Sequence, residues 1–269
     1  MAAYPRIAIV GAGPAGFYAA AALLDDDRFP DLAVDLFERL PCPFGLVRGG
    51  VAPDHPKTRA VISQFEETLR HPRVRYFGNV TVNRDIPLDL LRRQYHAVLI
   101  SAGADRARTL GIPGEDLPGV LPARAFTGWC CAHPDYANLR VNLECESVVV
   151  IGHGNVALDA ARLLCRSVDE LRRHEIPESV LDVLVASRVR NVHLVGRGGA
   201  LDMKCTYPEL HEMGTLARCQ PVVDPCDLPV DGSEPPDLAR NRAWNLKTLR
   251  TYSKKAHDCL EPGHKCCHF

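Results

Sequence analysis

No stretch of this chain is apolar for the roughly 20 residues that a membrane-crossing helix needs. The longest candidate, Phe17 to Leu24, is short and alanine-rich and reads as the buried start of a helix. Nor is there an excess of one charge. The 32 basic residues face 33 acidic ones, a formal net charge of −1, which excludes a chain built around non-specific nucleic-acid binding. No secretion leader is expected, because Met1 to Arg6 runs straight into an apolar strand pattern. An organellar protein with its presequence removed would begin in the same way. None of the 11 cysteines forms a Cys-x-x-Cys pair, and their number is odd. Several, such as Cys165, sit inside apolar runs, as thiols do in a reducing compartment. The expected location is the cytoplasm, with the mitochondrial matrix as the alternative.

What is present is ordinary for a soluble globular protein: 46% hydrophobic and 24% charged residues. The 269 residues suffice for one large domain or two small ones and for a core that needs no disulfide or metal staples. Arg6 to Val10 (RIAIV) reads as a buried strand, Ala15 to Leu24 as a helix and Ala33 to Glu38 as a second strand. A loop rich in Pro and Gly follows over 41–56, then a helix over 57–70, short strands between Arg73 and Val82, and a buried strand at Ala97 to Ser101. The pattern then starts again, with a strand at Ser147 to Ile151, a helix at Val156 to Cys165, a helix over 178–188 and a strand at Asn191 to Val195. Strands alternating with helices predict an α/β fold with parallel sheets. The repetition is a duplicated strand–turn–helix unit rather than a short-period repeat. Beyond residue 225 the pattern degrades into a Pro- and Asp-rich segment, a basic helix-like stretch and a tail.

Two glycine patterns carry chemistry. Gly11-Ala12-Gly13-Pro14-Ala15-Gly16 lies between the first strand and helix. In such a GxGxxG, the first glycine allows the tight turn, the second lets a pyrophosphate approach the backbone, and the third lets helix pack on strand. The N–H groups and dipole of the helix N-terminus favour the phosphates. Glu38 closes the second strand, about 20 residues on, where a carboxylate accepts hydrogen bonds from an adenosine ribose. The second pattern, Gly152-His153-Gly154-Asn155-Val156-Ala157, is a GxGxxA. Here the strand that follows ends in Val195-Gly196-Arg197, with a guanidinium where the first unit has an acid. A guanidinium suits a 2′-phosphate, so the second site is expected to prefer NADP over NAD. Two dinucleotide sites in one chain point to a flavin in one and a nicotinamide in the other, with hydride passing between their rings.

Residues 1–252 resemble the adrenodoxin reductase family of ferredoxin–NADP reductases, the group related to glutathione reductase. The match is carried by GAGPAGFYAA at 11–20, PCPFGLVRGGVAPDHP at 41–56, IPGEDLPGV at 112–120, ARAFTGW at 123–129, VIGHGNVALDAAR at 150–162, LVGRGG at 194–199 and ELHEMGTL at 209–216. The resemblance implies two Rossmann-like dinucleotide-binding domains, 1–103 for FAD and 104–252 for NADP, with 253–269 a tail outside the family pattern. It implies electron transfer from NADPH through FAD to a ferredoxin- or adrenodoxin-type iron–sulfur protein. By position, Gly11, Gly13, Ala15, Gly16, Glu38, Leu46 and Val82 would contact FAD. Gly152, His153, Gly154 and Asn155 would cradle the NADP pyrophosphate. Arg197 and Gly198 would lie at the 2′-phosphate, and Glu209 would line the NADP site. His55 and Glu212 match titratable positions near the flavin–nicotinamide contact and are the candidate catalytic pair. Where the family carries two adjacent arginines, this chain has Arg197-Gly198, which weakens the phosphate clamp.

Family members are longer and end in a segment that returns to the first domain, so the first domain is expected to be incomplete here. A truncated, impaired nucleotide-binding or regulatory form of such a reductase is the alternative reading. The lack of a Cys-x-x-Cys argues against a thioredoxin-reductase-like enzyme. A basic stretch, Arg240, Arg242, Lys247 and Arg250, is the expected docking surface for the acidic partner. The tail gathers His257, Cys259, His264, Cys266, Cys267 and His268. Their irregular spacing fits no standard zinc finger, and no metal site is assigned.

Overall fold

The structure, a computed structural model, describes residues 4–104, 106–254 and 263–269. It divides into two compact units. The first comprises Met1–Val51, His55–Gly111 and Cys131–Ala137, and the second Ala52–Asp54, Ile112–Cys130 and Asn138–Phe269. Both units are interleaved along the chain, whereas the sequence reading draws contiguous boundaries at 103 and 252.

The first unit holds a four-stranded sheet of β1 (Arg6–Val10), β2 (Ala33–Phe37), β3 (Val74–Phe77) and β4 (Ala97–Ile100) in the order β3-β2-β1-β4. All three pairings are parallel, so every connection must cross over a face of the sheet. The connections use α1 (Pro14–Leu24), α2 (Gly45–Gly49), α3 (Pro56–Arg59), α4 (Ile62–Arg70) and α5 (Leu88–Gln94). Side chains alternate between faces along each strand. Ile9, Val34 and Leu36 pack with Phe17 of α1 and Phe65 of α4, while Ala8 and Phe37 pack with Leu91 of α5. Phe17 and Phe65 are stacked with centroids 5.1 Å apart, and truncating either would cost about 3–5 kcal/mol.

Three details depart from the sequence reading. The loop over 41–56 contains α2, the helix over 57–70 is broken between α3 and α4, and β4 is an edge strand rather than a buried one. At the edge, Leu99 and Ile100 of β4 are 39% and 63% exposed. One charge is buried in this sheet. Asp35 on β2 accepts hydrogen bonds from Arg75 at 2.7 and 2.5 Å and from the Tyr95 hydroxyl at 2.6 Å. Burial opposes its charge, but these bonds outweigh it and hold the carboxyl below its usual range.

The second unit repeats the plan. It contains β5 (Ser147–Ile151), β6 (Asn191–Val195), β7 (Cys219–Val222) and β8 (Lys265–His268), in the order β5-β6-β8-β7 and parallel throughout. Its helices are α6 (Ala123–Cys130), α7 (Asn155–Cys165), α8 (Val168–Leu171), α9 (Glu178–Val185), α10 (Tyr207–Met213) and α11 (Arg240–Ser253). α7 is buried along most of its length, including Leu158, Ala161, Leu163 and Leu164. Part of the tail that the sequence reading sets outside the family pattern, 265–268, is built into the sheet. These residues form β8, which lies between β6 and β7, with Cys266 and Cys267 4% and 0% exposed. Cys267, a free thiol, fills the interior there as any small hydrophobe would, while Cys266 is disulfide-bonded. Lys265 Nζ donates to the Leu164 carbonyl at 2.5 Å. Of the tail's His and Cys set, His257 and Cys259 lie outside the described residues. No helix among the described residues is long and apolar enough to cross a membrane.

Candidate functional site

The order β3-β2-β1-β4 places successive connections on opposite sides of β1. Its carboxyl end is therefore the switch point at which open α/β sheets bind ligands. The first glycine pattern sits at that end. Gly11 has φ +105°, and a Cβ there would lie 2.4 Å from the Ser101 carbonyl oxygen. At Gly16 a Cβ would lie 2.2 Å from the Gly11 oxygen. At Gly13 the nearest atom is Gly45 Cα at 3.8 Å, so the middle glycine alone leaves room for a group to approach. Ser101 Oγ donates to the Gly11 carbonyl at 3.0 Å and fixes the turn. Glu38 is tied to the same turn. Its Oε2 accepts from the Ala12 N–H at 3.0 Å and its Oε1 from the Leu40 N–H at 3.0 Å. Ala15 is exposed on the first turn of α1 and Leu46 is 46% exposed on α2. Val82 is half-buried and packs with Phe37 and Leu91. This cradle fits a dinucleotide phosphate.

The second pattern opens α7 after β5. Gly152 takes φ +137°, and a Cβ at Gly154 would meet nothing within 4 Å. The backbone there is open to a ligand, and α7 presents its N-terminus to that opening. His153 and Asn155 serve the cradle's walls. His153 Nε2 lies 3.2 Å from the Leu194 oxygen, and its carbonyl accepts from Lys204 and Cys205 N–H at 3.1 and 3.0 Å. Asn155 Oδ1 accepts from the Thr206 N–H at 2.8 Å, which ties the start of α10 to the start of α7. Arg197 is exposed in the bend after β6. Gly198 is beside it, and a Cβ there would fall 2.5 Å from Asp202 Cβ. Asp202 thus occupies space that a longer residue at 198 would need.

Glu209 and Glu212 lie on α10, one turn apart, and both point to arginines on α7 or at its C-terminal cap. Arg162 Nη1 is 3.3 Å from Glu209 Oε2 and 3.9 Å from Glu212 Oε2, and Arg166 Nη2 donates to Glu212 Oε1 at 2.5 Å. Sequence reasoning missed these arginines, although Arg162 ends the quoted motif GNVALDAAR. The same guanidinium meets Asp54 and Asp159. Burial works against the Arg162 charge, but Asp54 and the neighbouring acids outweigh it and hold the group firmly ionised. His55 belongs to the first unit, where it precedes α3 and its carbonyl accepts from the Arg59 N–H at 3.2 Å, whereas Glu212 belongs to the second.

The basic stretch forms α11. Arg250 is committed within its own unit, pairing with Asp231 at 2.8 Å and with Glu234. It is therefore not the exposed docking cation that the sequence suggests. Arg240, Arg242 and Lys247 are exposed. Arg240 lies 4.3 Å above the Trp244 ring, a cation–π contact. Between α10 and α11 lies a cavity of about 450 Å³ lined by Tyr207, His211, Trp244 and Lys247 among others. The two helices are held by Tyr252 Oη, which donates to the Leu210 carbonyl at 2.8 Å.

Known proteins share this architecture. The chain is 46% identical over 241 residues to the mitochondrial NADPH:adrenodoxin oxidoreductase of Salvelinus fontinalis, covering 90% of this chain and 48% of that protein. It is 48% identical over 224 residues to the human protein of the same name, covering 83% and 45%. Against the NADPH-ferredoxin reductase FprA of Mycobacterium tuberculosis, identity is 44% over 265 residues, covering 96% and 57%. The structure of FprA in complex with NADPH superposes with a TM-score of 0.92 at 42% identity, covering 99% of this chain and 59% of that one. The chain thus spans about half the length of the curated relatives it matches. Residues 5–201 match the family of pyridine nucleotide-disulphide oxidoreductases, and the chain belongs to that family.

Proposed function

We propose that this chain carries the two nucleotide sites of a flavoprotein oxidoreductase that passes electrons from NADPH through FAD to a ferredoxin- or adrenodoxin-type iron–sulfur protein. The observation that carries this reading is the pair of strand–turn–helix cradles, each with an open middle glycine at Gly13 and Gly154. They differ in the charge that follows, Glu38 in one and Arg197 in the other. A flavin in the first cradle supplies the chemistry, accepting a hydride and releasing electrons singly. The chain's own residues bind and orient. In the first unit, the turn at Gly11 to Gly16, with Glu38 behind it, holds the FAD pyrophosphate and ribose, and Leu46 and Val82 add apolar contact. In the second, Gly152 to Asn155 hold the NADP pyrophosphate. Arg197, with the Gly198 backbone beside it, meets the 2′-phosphate, and Glu209 lines the site. His55 of the first unit and Glu212 of the second are the proposed proton-handling groups. The acidic partner docks on Arg240, Arg242 and Lys247 by electrostatic steering, with the apolar wall of Tyr207 and Trp244 beside them. Buried thiols such as Cys165, Cys205 and Cys219 suit the cytoplasm or the mitochondrial matrix.

The test is the visible absorption spectrum of the purified chain before and after NADPH. Flavin bands that bleach on addition support the reading. A colourless chain that cannot be reconstituted with FAD overturns it. Flavin bands that NADPH leaves unchanged favour an impaired nucleotide-binding form.

A further inference from the structure

Arg162 is buried more deeply and paired more heavily than a structural arginine needs to be. Its side chain and that of Asp54 are both 0% exposed. Nε donates to Asp54 Oδ2 at 2.6 Å and Nη2 to Asp54 Oδ1 at 2.9 Å, a bidentate pair that by itself compensates a buried guanidinium. The remaining donors do something else. Nη2 also reaches Asp159 at 2.9 Å, and Nη1 faces Glu209 and Glu212 at 3.3 and 3.9 Å. Those two carboxylates are 19% and 30% exposed, so solvation alone would keep them in the fold. Arg166 repeats the arrangement with Asp54 at 2.8 Å, Glu212 at 2.5 Å and Glu170 at 3.8 Å. Five carboxylates therefore share two guanidinium groups.

Such a surplus of negative charge would repel an anionic dinucleotide unless the acids were held and partly neutralised. Arg162 sits on α7, the helix whose N-terminus is the second glycine cradle, and Arg166 caps its C-terminus. Arg162 lies about two turns along that helix, roughly 10 Å from its start. One rigid helix thus carries the phosphate cradle at one end and the clamp on the α10 acids further along. We infer that Arg162 is a positioning residue for NADP(H): it fixes Glu209 and Glu212 and screens their charge, so that the second site accepts an anionic dinucleotide. This rests on the nucleotide reading of that site.

The experiment separates positioning from mere structure. NADP⁺ binding to the purified chain is measured by titration calorimetry, alongside thermal unfolding, for wild type, Arg162→Gln, Asp54→Asn/Arg162→Gln and Arg162→Lys. Arg162→Gln alone leaves Asp54 ionised and buried and lowers the unfolding midpoint. The double variant removes both charges and restores much of the midpoint, yet binds NADP⁺ about tenfold more weakly, the loss expected for one charge-assisted hydrogen bond. Arg162→Lys keeps the charge but lacks the fork that reaches Asp54 and Glu209 together. It folds even if the double variant does not, and its affinity also falls. Wild-type affinity in a folded double variant or in Arg162→Lys overturns the inference and leaves the nucleotide reading intact. A wild-type chain that does not bind NADP⁺ overturns both.

Discussion

The carboxylate of Glu38, at the end of β2, bridges two backbone N–H groups, taking Ala12 on one oxygen and Leu40 on the other, each at 3.0 Å. It is therefore part of the glycine turn itself and not a side chain waiting at its rim. Replacing it by glutamine puts an amide donor opposite one of the two N–H donors, so one of them loses its partner. Glu38→Gln is expected to cost about 1–3 kcal/mol in urea unfolding and to weaken FAD retention. A surface acid would change stability by less than about 0.5 kcal/mol.

The glycines of the two turns make opposite predictions. At Gly11 the backbone has φ +105° and a Cβ would lie 2.4 Å from the Ser101 oxygen, so Gly11→Ala strains the turn and clashes with backbone that cannot move. Its expected cost is at least about 2 kcal/mol, enough to lower the unfolding midpoint by several degrees. Gly154 has φ −100° and ψ 175°, which alanine adopts freely, and nothing lies within 4 Å of the added methyl. Gly154→Ala keeps or slightly raises stability, while NADP⁺ affinity drops about tenfold because the methyl fills the approach to the backbone. Equal stability losses in the two variants would refute the assignment of Gly154 to a ligand-facing place.

The sequence reading succeeds where local signals agree. At β1 and β5 an apolar run ends in glycines whose positive φ the turn requires, and a helix pattern follows at once, so strand, turn and helix are each visible within some 20 residues. It fails where the determinant is distant. Lys265 to His268 has no alternation and polar ends. It becomes β8 because the place between β6 and β7 accepts the small side chains of Cys266 and Cys267, both buried there. Arg162 reads as a charge on a helix, and the partner that explains it, Asp54, is 108 residues away. The role of Arg250 is hidden likewise, since its exposure is decided by Asp231 and Glu234 in a loop with no periodic pattern. The division into units at 103 and 252 assumes contiguity, which segments such as 131–137 do not respect.

The strand that was hardest to read gives a pH dependence. His268 of β8 stacks on His193 of β6 with centroids 4.4 Å apart and planes 12° from parallel, and its Nε2 lies 3.2 Å from Asn191 Oδ1. Burial first, and then the neighbouring His193, hold the His268 imidazole below its ordinary range. A base whose folded pKa is depressed contributes stability that is fully present above its unfolded pKa, near 6.5, and is lost as pH falls through the folded value. The unfolding midpoint is therefore expected to fall between pH 7 and pH 5. His268→Gln, which retains a donor for Asn191 but does not titrate, should flatten that slope. An unchanged slope would place the acid sensitivity elsewhere.

Arg197 is the residue proposed to set which nicotinamide cofactor the second site prefers, and its single guanidinium makes the effect measurable. It is exposed in the bend after β6, and in the proposed role it donates charged hydrogen bonds to a 2′-phosphate that NAD⁺ lacks. One such bond is worth about 1.5–3 kcal/mol, so Arg197→Ala is expected to weaken NADP⁺ binding roughly 10- to 100-fold and to leave NAD⁺ nearly unchanged. The neighbouring position supplies the converse. A side chain at 198 must displace Asp202, since its Cβ would fall 2.5 Å from the Asp202 Cβ, and the Asp202 carboxylate is a poor neighbour for a phosphate. Gly198→Arg combined with Asp202→Ala removes both obstacles and adds a second cation. That double variant should bind NADP⁺ more tightly than wild type, with NAD⁺ affinity again unmoved. If Arg197→Ala lowered the affinities for both cofactors by the same factor, the arginine would be supporting the fold of the loop rather than reading the 2′-phosphate.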